Sequence, residues 1–260
     1  MAIVVTKPIV NNSQTKLLIT GNTGQTFTDS SAGGGGKTIT PAGNTTWSTT
    51  VKSPAVRAVA VNTTAAYLRV EDSDDFDFGT DDFNFDVWVN MENVSYSEHQ
   101  QIISKGDPGT TTGWTLQQLL GADPLFFTCN VHTSLDSTVD YKDGLWHHLS
   151  VNRTGSTLSI KGDGVEKATG SNSVNLTNAE PLLIGYSIRG TGYGSCHAIV
   201  KNVRIIKGNG NNLTDGGFST NPLNGTPTIP TGTVFCLGHG ATDVLFRDLA
   251  TNKADRKSVV

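Results

Sequence analysis

Short runs of alternating hydrophobic and polar residues recur along this chain, and the clearest of them is FNFDVWV at residues 83–89. One side of that run is apolar and the other is mixed: Phe83, Phe85, Val87 and Val89 face one way, and Asn84, Asp86 and Trp88 face the other. A period of two residues is the period of a β-strand, because successive side chains of a strand point to opposite faces. The pattern therefore predicts a strand with one buried face.

Further runs of this kind are separated by turns rich in Gly, Asn and Thr. They predict strands at 15–20, 55–62, 114–120, 146–153, 157–164, 181–187 and 198–206. Short strands at regular spacing, with no convincing helical period between them, favour an antiparallel arrangement in two layers. We predict an all-β protein, an antiparallel β-sandwich.

The ends of the chain lack this periodicity. Residues 209–232 are rich in Pro, Gly and Asn and have no hydrophobic periodicity, which predicts an extended loop. We therefore divide the chain into an N-terminal arm (1–14), a sandwich domain (15–208) and a loop plus C-terminal extension (209–260). The extension is expected to pack on the same domain or on a neighbouring subunit.

Charge and composition exclude several classes of function. The net charge is −4 and no basic stripe occurs, so nucleic-acid binding is not expected. No apolar run approaches the length of a membrane span, and the first fourteen residues lack the cationic start of a signal peptide. We expect a protein made in the host cytoplasm. The three cysteines, Cys129, Cys196 and Cys236, are widely spaced and are interpreted as small buried hydrophobes.

One segment is strongly acidic: Glu71 to Asp86 holds eight carboxylates in sixteen positions and neither Lys nor Arg. No register of it fits a calcium-binding EF-hand loop. Its aspartates alternate with four phenylalanines, which predicts a buried aromatic face and a solvated acidic face. An irregular calcium site remains an alternative, with the candidate ligands Asp72, Asp74, Asp75 and Asp77.

Two other motifs suggest a phosphate-binding loop and a metal site, but neither has the residues or geometry that such a site requires. SAGGGGKT at 31–38 lacks the helix that must follow a phosphate-binding loop, since ITPAGN comes next. His147 and His148 are neighbours on a predicted strand, so they point to opposite faces and cannot share a metal. We expect one of them to pack beside the sheet and the other to meet water.

Several segments, taken together, resemble the laminin-G-like, concanavalin A-like jelly roll. In chain order these are FTDSSAGGGGKTIT, YLRVEDSDDFDFGTDDFNFDVWV, QIISKGD, DGLWHHLSVNRTGSTLSIKGDG, PLLIGYS and VKNVRIIKG. They extend from about Lys16 to Lys207. DSDDFDFGTDDF and DGLWHHLSVNR look most like the versions found in virion proteins of tailed bacteriophages. The resemblance implies the fold more specifically than the function, because this sandwich serves lectins, glucanases and structural modules.

The resemblance also bears on catalysis and on calcium. Catalytic members carry a Glu-x-Asp-x-Glu run along a strand, whereas here Asp86 stands alone beside Trp88, so no enzymatic activity is expected. Calcium-binding members pair an acid after the first strand, matched here by Asp29, with an acid before the last strand. Lys201 and Asn202 occupy that second place. We expect no cofactor, with calcium as the alternative.

The main functional prediction is a non-enzymatic structural protein of a bacteriophage virion surface, either a capsid decoration protein or a tail or fibre component. Its expected partners are the major capsid protein or other virion subunits, and a homo-oligomer, such as a trimer, is expected by analogy. The alternative is a carbohydrate-binding, lectin-like module that takes a polysaccharide. The candidate glycan-binding residues are Trp88, Asp86, Tyr186, Arg189 and Tyr193. A glycoside-processing enzyme is a remote alternative.

Overall fold

The structure is a computed structural model, and it describes most of the region predicted to form the sandwich. The described residues are 2–3, 13–19, 27, 29–43, 46–48, 55–58, 66–93, 97–109, 112–120, 124–130, 133–189, 193–208, 233–235, 247–248 and 253–254.

The described residues form β-strands connected by turns. In chain order the strands are β1 (Ala2–Ile3), β2 (Thr15–Ile19), β3 (Ile39–Ala42), β4 (Thr46–Ser48), β5 (Ala55–Ala58), β6 (Tyr67–Val70), β7 (Phe83–Met91), β8 (His99–Lys105), β9 (Trp114–Gln118), β10 (Leu125–Cys129), β11 (Thr133–Asp136), β12 (Trp146–Thr154), β13 (Thr157–Gly162), β14 (Val165–Ser171), β15 (Leu182–Ile184), β16 (Tyr193–Ser195), β17 (Ala198–Lys207), β18 (Thr233–Phe235), β19 (Arg247–Asp248) and β20 (Lys253–Ala254).

The only helical element in the described residues is a 3₁₀ turn, Asp74–Phe76, capped by the Ser73 side chain. Within the same residues, no helix has the length and hydrophobicity that a membrane crossing requires.

Two eight-stranded sheets make up the body of the fold. Sheet A has the order β14-β13-β12-β7-β17-β5-β4, and β2 also pairs with β17. Sheet B has the order β11-β10-β9-β8-β15-β6-β3, and β16 also pairs with β8. Within these two sheets, all strand pairings are antiparallel except that of β16 with β8. This arrangement confirms the predicted all-β fold, an antiparallel β-sandwich.

The hydrophobic core lies between the two sheets, and β7 supplies its centre. Phe83 and Phe85 are fully buried there, as the alternation predicts. Phe78 stacks on Phe83 with ring centroids 4.1 Å apart, and Trp114 of sheet B stacks on Phe85 at 4.8 Å. Phe76 of the acidic segment belongs to the same core. Large aromatic contacts of this kind join the two layers because each ring buries much apolar surface.

The strand predictions are confirmed where the structure describes them. The runs at 15–20, 83–89 and 114–120 form β2, β7 and β9. The run at 55–62 is a strand over Ala55–Ala58, and its remainder lies outside the described residues. Cys129 and Cys196 are buried, unpaired thiols, as expected. Cys236 lies outside the described residues.

Most of the two predicted terminal segments also lies outside the described residues. Within them, β1 pairs in parallel with β18, and β19 pairs with β20. The boundaries at 14 and 208 therefore stay a prediction, as does the packing of an arm on a neighbouring subunit.

Candidate functional site

A pair of stacked tyrosines lies where β6 begins and β15 ends. The register of these strands sets Ile184 opposite Leu68, which brings Tyr186 beside Tyr67. The ring centroids are 5.0 Å apart and the ring planes differ by 16°. The Ser104 hydroxyl donates to the Tyr186 carbonyl at 2.8 Å and fixes the backbone there. Both tyrosines are half-buried, so the pair is a positioned aromatic surface with access to solvent.

A strip of side chains continues from this pair along the outer face of β6. Leu68 and Val70 point into the core, so Tyr67 and Arg69 point outward, and Glu71 follows in the same alternation. We call Tyr67, Arg69 and Glu71 the β6 strip.

Two members of the β6 strip form an exposed ion pair. Arg69 donates from Nε and Nη2 to the two carboxylate oxygens of Glu71, both at 2.9 Å. Their side chains are 41% and 69% exposed. The hydrogen bond with Glu71 raises the pKa of Arg69, and the hydrogen bond from Arg69 lowers the pKa of Glu71. Both groups therefore stay charged.

An open cavity of about 320 Å³ lies at the far end of β6. It is lined by Gly34, Lys37, Thr38, Val70, Glu71, Asp72, Ser73 and Asp75. We call it the β6-end cavity. Its lining offers hydroxyls, carboxylates, one ammonium group and the backbone of the glycine-rich loop.

Lys37 holds the glycine-rich loop against this cavity, and Lys16 also donates to the Gly33 carbonyl at 3.3 Å. Lys37 Nζ donates to the carbonyl of Gly34 at 2.5 Å and to that of Lys16 at 3.1 Å, and it pairs with Asp75 at 2.5 Å. Gly34 is required by close approach, because a Cβ there would lie 2.3 Å from the Lys16 carbonyl oxygen. The loop therefore forms a wall of the cavity.

The acidic segment has the predicted solvated face in part: Glu71, Asp72, Asp74 and Asp81 are exposed, but three of its carboxylates are paired with lysines. Lys105 Nζ lies 2.9 Å from both Asp72 and Asp77, and its side chain is fully buried. Asp75 pairs with Lys37 and lies 3.7 Å from Lys16. These carboxylates fasten the segment to neighbouring strands. The sequence conceals this because the lysines come from outside the acidic run.

Four of the five calcium candidates, Asp29, Asp72, Asp75 and Asp77, have carboxylates engaged in other contacts. Asp29 accepts backbone N–H groups from Leu18, Ser31 and Lys37 at 2.9–3.1 Å. Asp74 is exposed, and its carbonyl accepts from Lys207. No three His, Cys, Asp or Glu residues of the described part of the chain are placed to hold a metal.

Asp86 and Trp88, two of the candidate glycan-binding residues, are buried rather than exposed. On the outer face of sheet A, Asp86 is 0% exposed and Trp88 is 3% exposed. Neither side chain can therefore contact a sugar that binds from solution. Asp86 Oδ2 lies 2.5 Å from Nη2 of Arg204 and 3.4 Å from Nε2 of His148. Burial alone would raise the pKa of Asp86, but Arg204 and His148 together lower it. The prediction of a wetted outer face is wrong here.

The remaining glycan candidates lie on the side of sheet B. Arg189 Nε is 3.7 Å from Asp107, three residues after Tyr186. Tyr193 begins β16, opposite His99 of β8, and its side chain is outside what the structure describes. Tyr186, in contrast to the buried Trp88, is half-buried and stacks on a second tyrosine, Tyr67.

A separate ionic cluster surrounds His147 at the start of β12. Its Nδ1 lies 2.7 Å from Asp163 and its Nε2 lies 3.0 Å from Asp143. The ring also contacts Tyr141 edge-on at 4.8 Å. Burial lowers the pKa of His147, but the two carboxylates outweigh that effect and raise it. His148 is buried on the opposite face, as the alternation predicts, whereas the His147 side chain is only 14% exposed and meets water less than expected.

The comparison with protein families decides the identity of this fold. A laminin G-type family profile, described as "Concanavalin A-like lectin/glucanases superfamily", matches residues 62–209, which is more than half of the chain. The chain belongs to this superfamily. Comparison with curated proteins finds no match.

Among solved structures, this concanavalin A-like chain is similar to clostridial toxin binding domains. One is the binding domain of Paraclostridial Mosquitocidal Protein 1, with a TM-score of 0.61, 10% identity, and coverage of 79% of this chain and 51% of that one. Another comes from a study titled "Cell entry of botulinum neurotoxin type C is dependent upon interaction with two ganglioside molecules", with a TM-score of 0.61, 11% identity, and coverage of 80% and 50%.

A third is the botulinum neurotoxin DC binding domain in complex with SialylT, with a TM-score of 0.60, 12% identity, and coverage of 80% and 50%. The chain thus spans about half the length of these structures. At these identities the likeness shows the fold alone.

Sequence reasoning missed Tyr67, Arg69 and the β6-end cavity in this concanavalin A-like domain. The sequence marks Tyr67 and Arg69 as alternating with Leu68 and Val70, which shows that they share a face. Only the register of β15 against β6 shows that Tyr186 joins them.

Proposed function

We propose that this domain binds carbohydrate, as a lectin does, through the β6 strip and the Tyr67–Tyr186 pair. The observation that carries the proposal is the stacked, half-exposed tyrosine pair beside the exposed Arg69–Glu71 ion pair. Two of the similar toxin domains add support, since one interacts with gangliosides and another forms a complex with SialylT.

The chemistry of the strip suits a sugar. A pyranose ring presents apolar C–H groups on its faces and hydroxyls at its edge. The tyrosine rings offer an apolar surface for the former, and the guanidinium and carboxylate offer donors and acceptors for the latter. Because the ion pair is already formed, little side-chain ordering remains to oppose binding.

A glycan array tests this function. The wild-type protein should bind at least one class of glycan above background, and Tyr67→Ala and Tyr186→Ala should each remove most of that signal. Phe126→Ala is a matched control, because Phe126 is a half-buried aromatic on the outer side of β10, four strands from β6 in the same sheet. Binding that survives both tyrosine variants, or no binding to any glycan, would contradict the proposal.

The binding that we propose is non-catalytic. Ordinary glycoside hydrolysis needs two carboxyl groups that flank a bond accessible to water. In the β6 strip, Glu71 is paired with Arg69, and Asp72 in the adjoining cavity is paired with Lys105. Incubation of any bound oligosaccharide with the protein should therefore leave it intact, as judged by mass spectrometry.

A structural function on a bacteriophage virion surface is a second candidate. It is supported by the motifs that resemble those of tailed-phage virion proteins and by a buried cation that ties loops together. Arg153 donates to the carbonyls of Gly79, Asp81 and Val174 at 2.6–2.9 Å. A rigid block of this kind suits a capsid decoration, tail or fibre protein and is compatible with glycan binding.

The virion proposal has its own test, which also covers its expected partners. The protein should co-sediment with capsids that carry the major capsid protein, and light scattering should show a homo-oligomer such as a trimer. A monomer that does not associate with any virion subunit would contradict it.

A further inference from the structure

We infer that the ligand of the β6 strip is a neutral oligosaccharide whose terminal residue enters the β6-end cavity, and that sialylated or otherwise anionic glycans are disfavoured. This inference rests on the proposed function and specifies its ligand. It is drawn from the length of the site and from the pairing of its charges.

The length of the site favours an oligosaccharide. Val70 lines the cavity and Tyr67 lies three residues before it on the same strand, which is about 10 Å of extended chain. Arg69 lies between them on the outer face, exposed to solvent. A single pyranose ring cannot contact both the tyrosine pair and the cavity, so a chain of several sugars is needed to engage the whole site.

The charges of the site favour a neutral ligand. The cavity lining contains three carboxylates, those of Glu71, Asp72 and Asp75, and one cation, Lys37. Asp72 is paired with the buried Lys105, which does not line the cavity. Lys37 is paired with Asp75. Arg69, the cation of the β6 strip, is held by both oxygens of Glu71.

An anionic sugar would therefore have to displace Glu71 or Asp75 from its partner before it could gain a cation. It would also approach the exposed carboxylates of Glu71 and Asp72 with a charge of the same sign. Like charges brought together across an interface oppose binding.

The same lining is well suited to sugar hydroxyls. Carboxylates accept hydrogen bonds from hydroxyl groups, and the Thr38 and Ser73 hydroxyls can both donate and accept. Thr38 is exposed, whereas the Ser73 oxygen already accepts from the Asp75 N–H at 3.3 Å. Thr38 is thus the lining residue whose hydroxyl can be removed with least effect on the loop.

The experiment compares matched glycans on one array. The probes are neutral oligosaccharides of increasing length from the monosaccharide, each also present with a terminal sialic acid. The best neutral oligosaccharide should bind at least about tenfold more tightly than its terminal monosaccharide and about tenfold more tightly than its sialylated form. Thr38→Val should weaken binding of the oligosaccharide, because it removes a hydroxyl from the cavity that takes the terminal sugar.

Glu71→Gln provides the sharpest variant, because Glu71 is exposed and its replacement releases Arg69 from its ion pair. This variant should gain affinity for sialylated probes relative to neutral ones. Equal or tighter binding of sialylated probes by the wild-type protein, or binding that does not depend on chain length, would overturn this inference but not the proposed function. If the protein binds none of the probes, both this inference and the proposed function are overturned.

Discussion

At the scale of single residues, Asp86 shows how an unremarkable position in the sequence acquires a structural role. It alternates correctly with the core residues of β7, so it is placed on the outer face of sheet A. There it is fully buried with Arg204, whose guanidinium is also fully buried. A buried ion pair contributes little net stability compared with apolar residues, but the loss of one partner is costly because the other charge stays buried.

We therefore predict that Asp86→Asn lowers the free energy of unfolding by about 3–5 kcal/mol, because the charge of Arg204 remains buried. Urea denaturation measures this. The matched control is Asp74→Asn, at an exposed carboxylate, which should change stability by less than about 0.5 kcal/mol. A loss for Asp86→Asn as small as that of the control would show that Arg204 reaches water.

The cluster at His147 predicts a dependence of stability on pH. Because Asp163 and Asp143 raise the pKa of His147 in the folded protein, the protonated ring stabilises the fold. This contribution is complete below the ordinary histidine pKa of about 6.5 and is lost as the pH rises through the raised value. The pKa of Asp163 is lowered: burial raises it, but His147 and the His148 N–H outweigh that effect. The stability that ionised Asp163 contributes to the fold is therefore lost only at acidic pH.

The urea midpoint of the wild-type protein should accordingly fall as the pH rises from about 6.5, the ordinary histidine pKa, through the raised pKa of His147. His147→Gln should show a smaller fall over the same range. Asp163→Asn keeps a residue that tolerates the positive φ of 53° at this turn, and it should flatten the dependence as well. Identical pH profiles for all three proteins would contradict this assignment.

At the scale of elements, salt bridges attach the acidic segment, which follows β6 and contains the 3₁₀ turn, to the end of β8 in sheet B. Lys105, at the end of β8, contacts Asp72, Asp77 and the carbonyl of Asn178. The aromatic residues of the segment enter the core, while its carboxylates bind lysines of other elements. The segment is thus held on both of its faces.

Lys105→Met should lower the free energy of unfolding by about 3 kcal/mol, the low end for a broken buried pair, because Asp72 is partly exposed and can regain water. Hydrogen exchange should accelerate at the amides of Phe76 and Asn178, whose N–H groups bond within this segment or to Asp77. Lys161→Met, on the outer side of β13, is the control and should change neither measurement appreciably. Unchanged exchange in Lys105→Met would contradict the fastening.

The same elements show how far the sequence determines the structure. Alternation placed Phe83 and Phe85 in the core because that pattern depends only on local strand geometry. The burial of Asp86 could not be predicted, because its partner Arg204 is 118 residues away. The Tyr67–Tyr186 pair was missed for the same reason, since it arises only from the register of β6 and β15. Contacts set by strand order have no local signature.

At the scale of the whole molecule, the fold presents its candidate ligand surface near one edge of sheet B. β3 ends the described sheet beside β6, so the β6 strip lies one strand from that edge. The aromatic pair, the exposed ion pair and the β6-end cavity follow one another along this strand. Their order is a consequence of the sandwich topology, and it is the basis for the proposed carbohydrate binding.

The most direct test of this account is calorimetric titration with the oligosaccharide that binds best on the array. Wild-type protein and Phe126→Ala should bind it with equal affinity. Tyr67→Ala/Tyr186→Ala should bind at least about 30-fold more weakly, which corresponds to about 2 kcal/mol for the lost aromatic contact. Equal affinity of this double variant and the wild-type protein, with both folded by circular dichroism, would contradict the assignment of the β6 strip as the binding site.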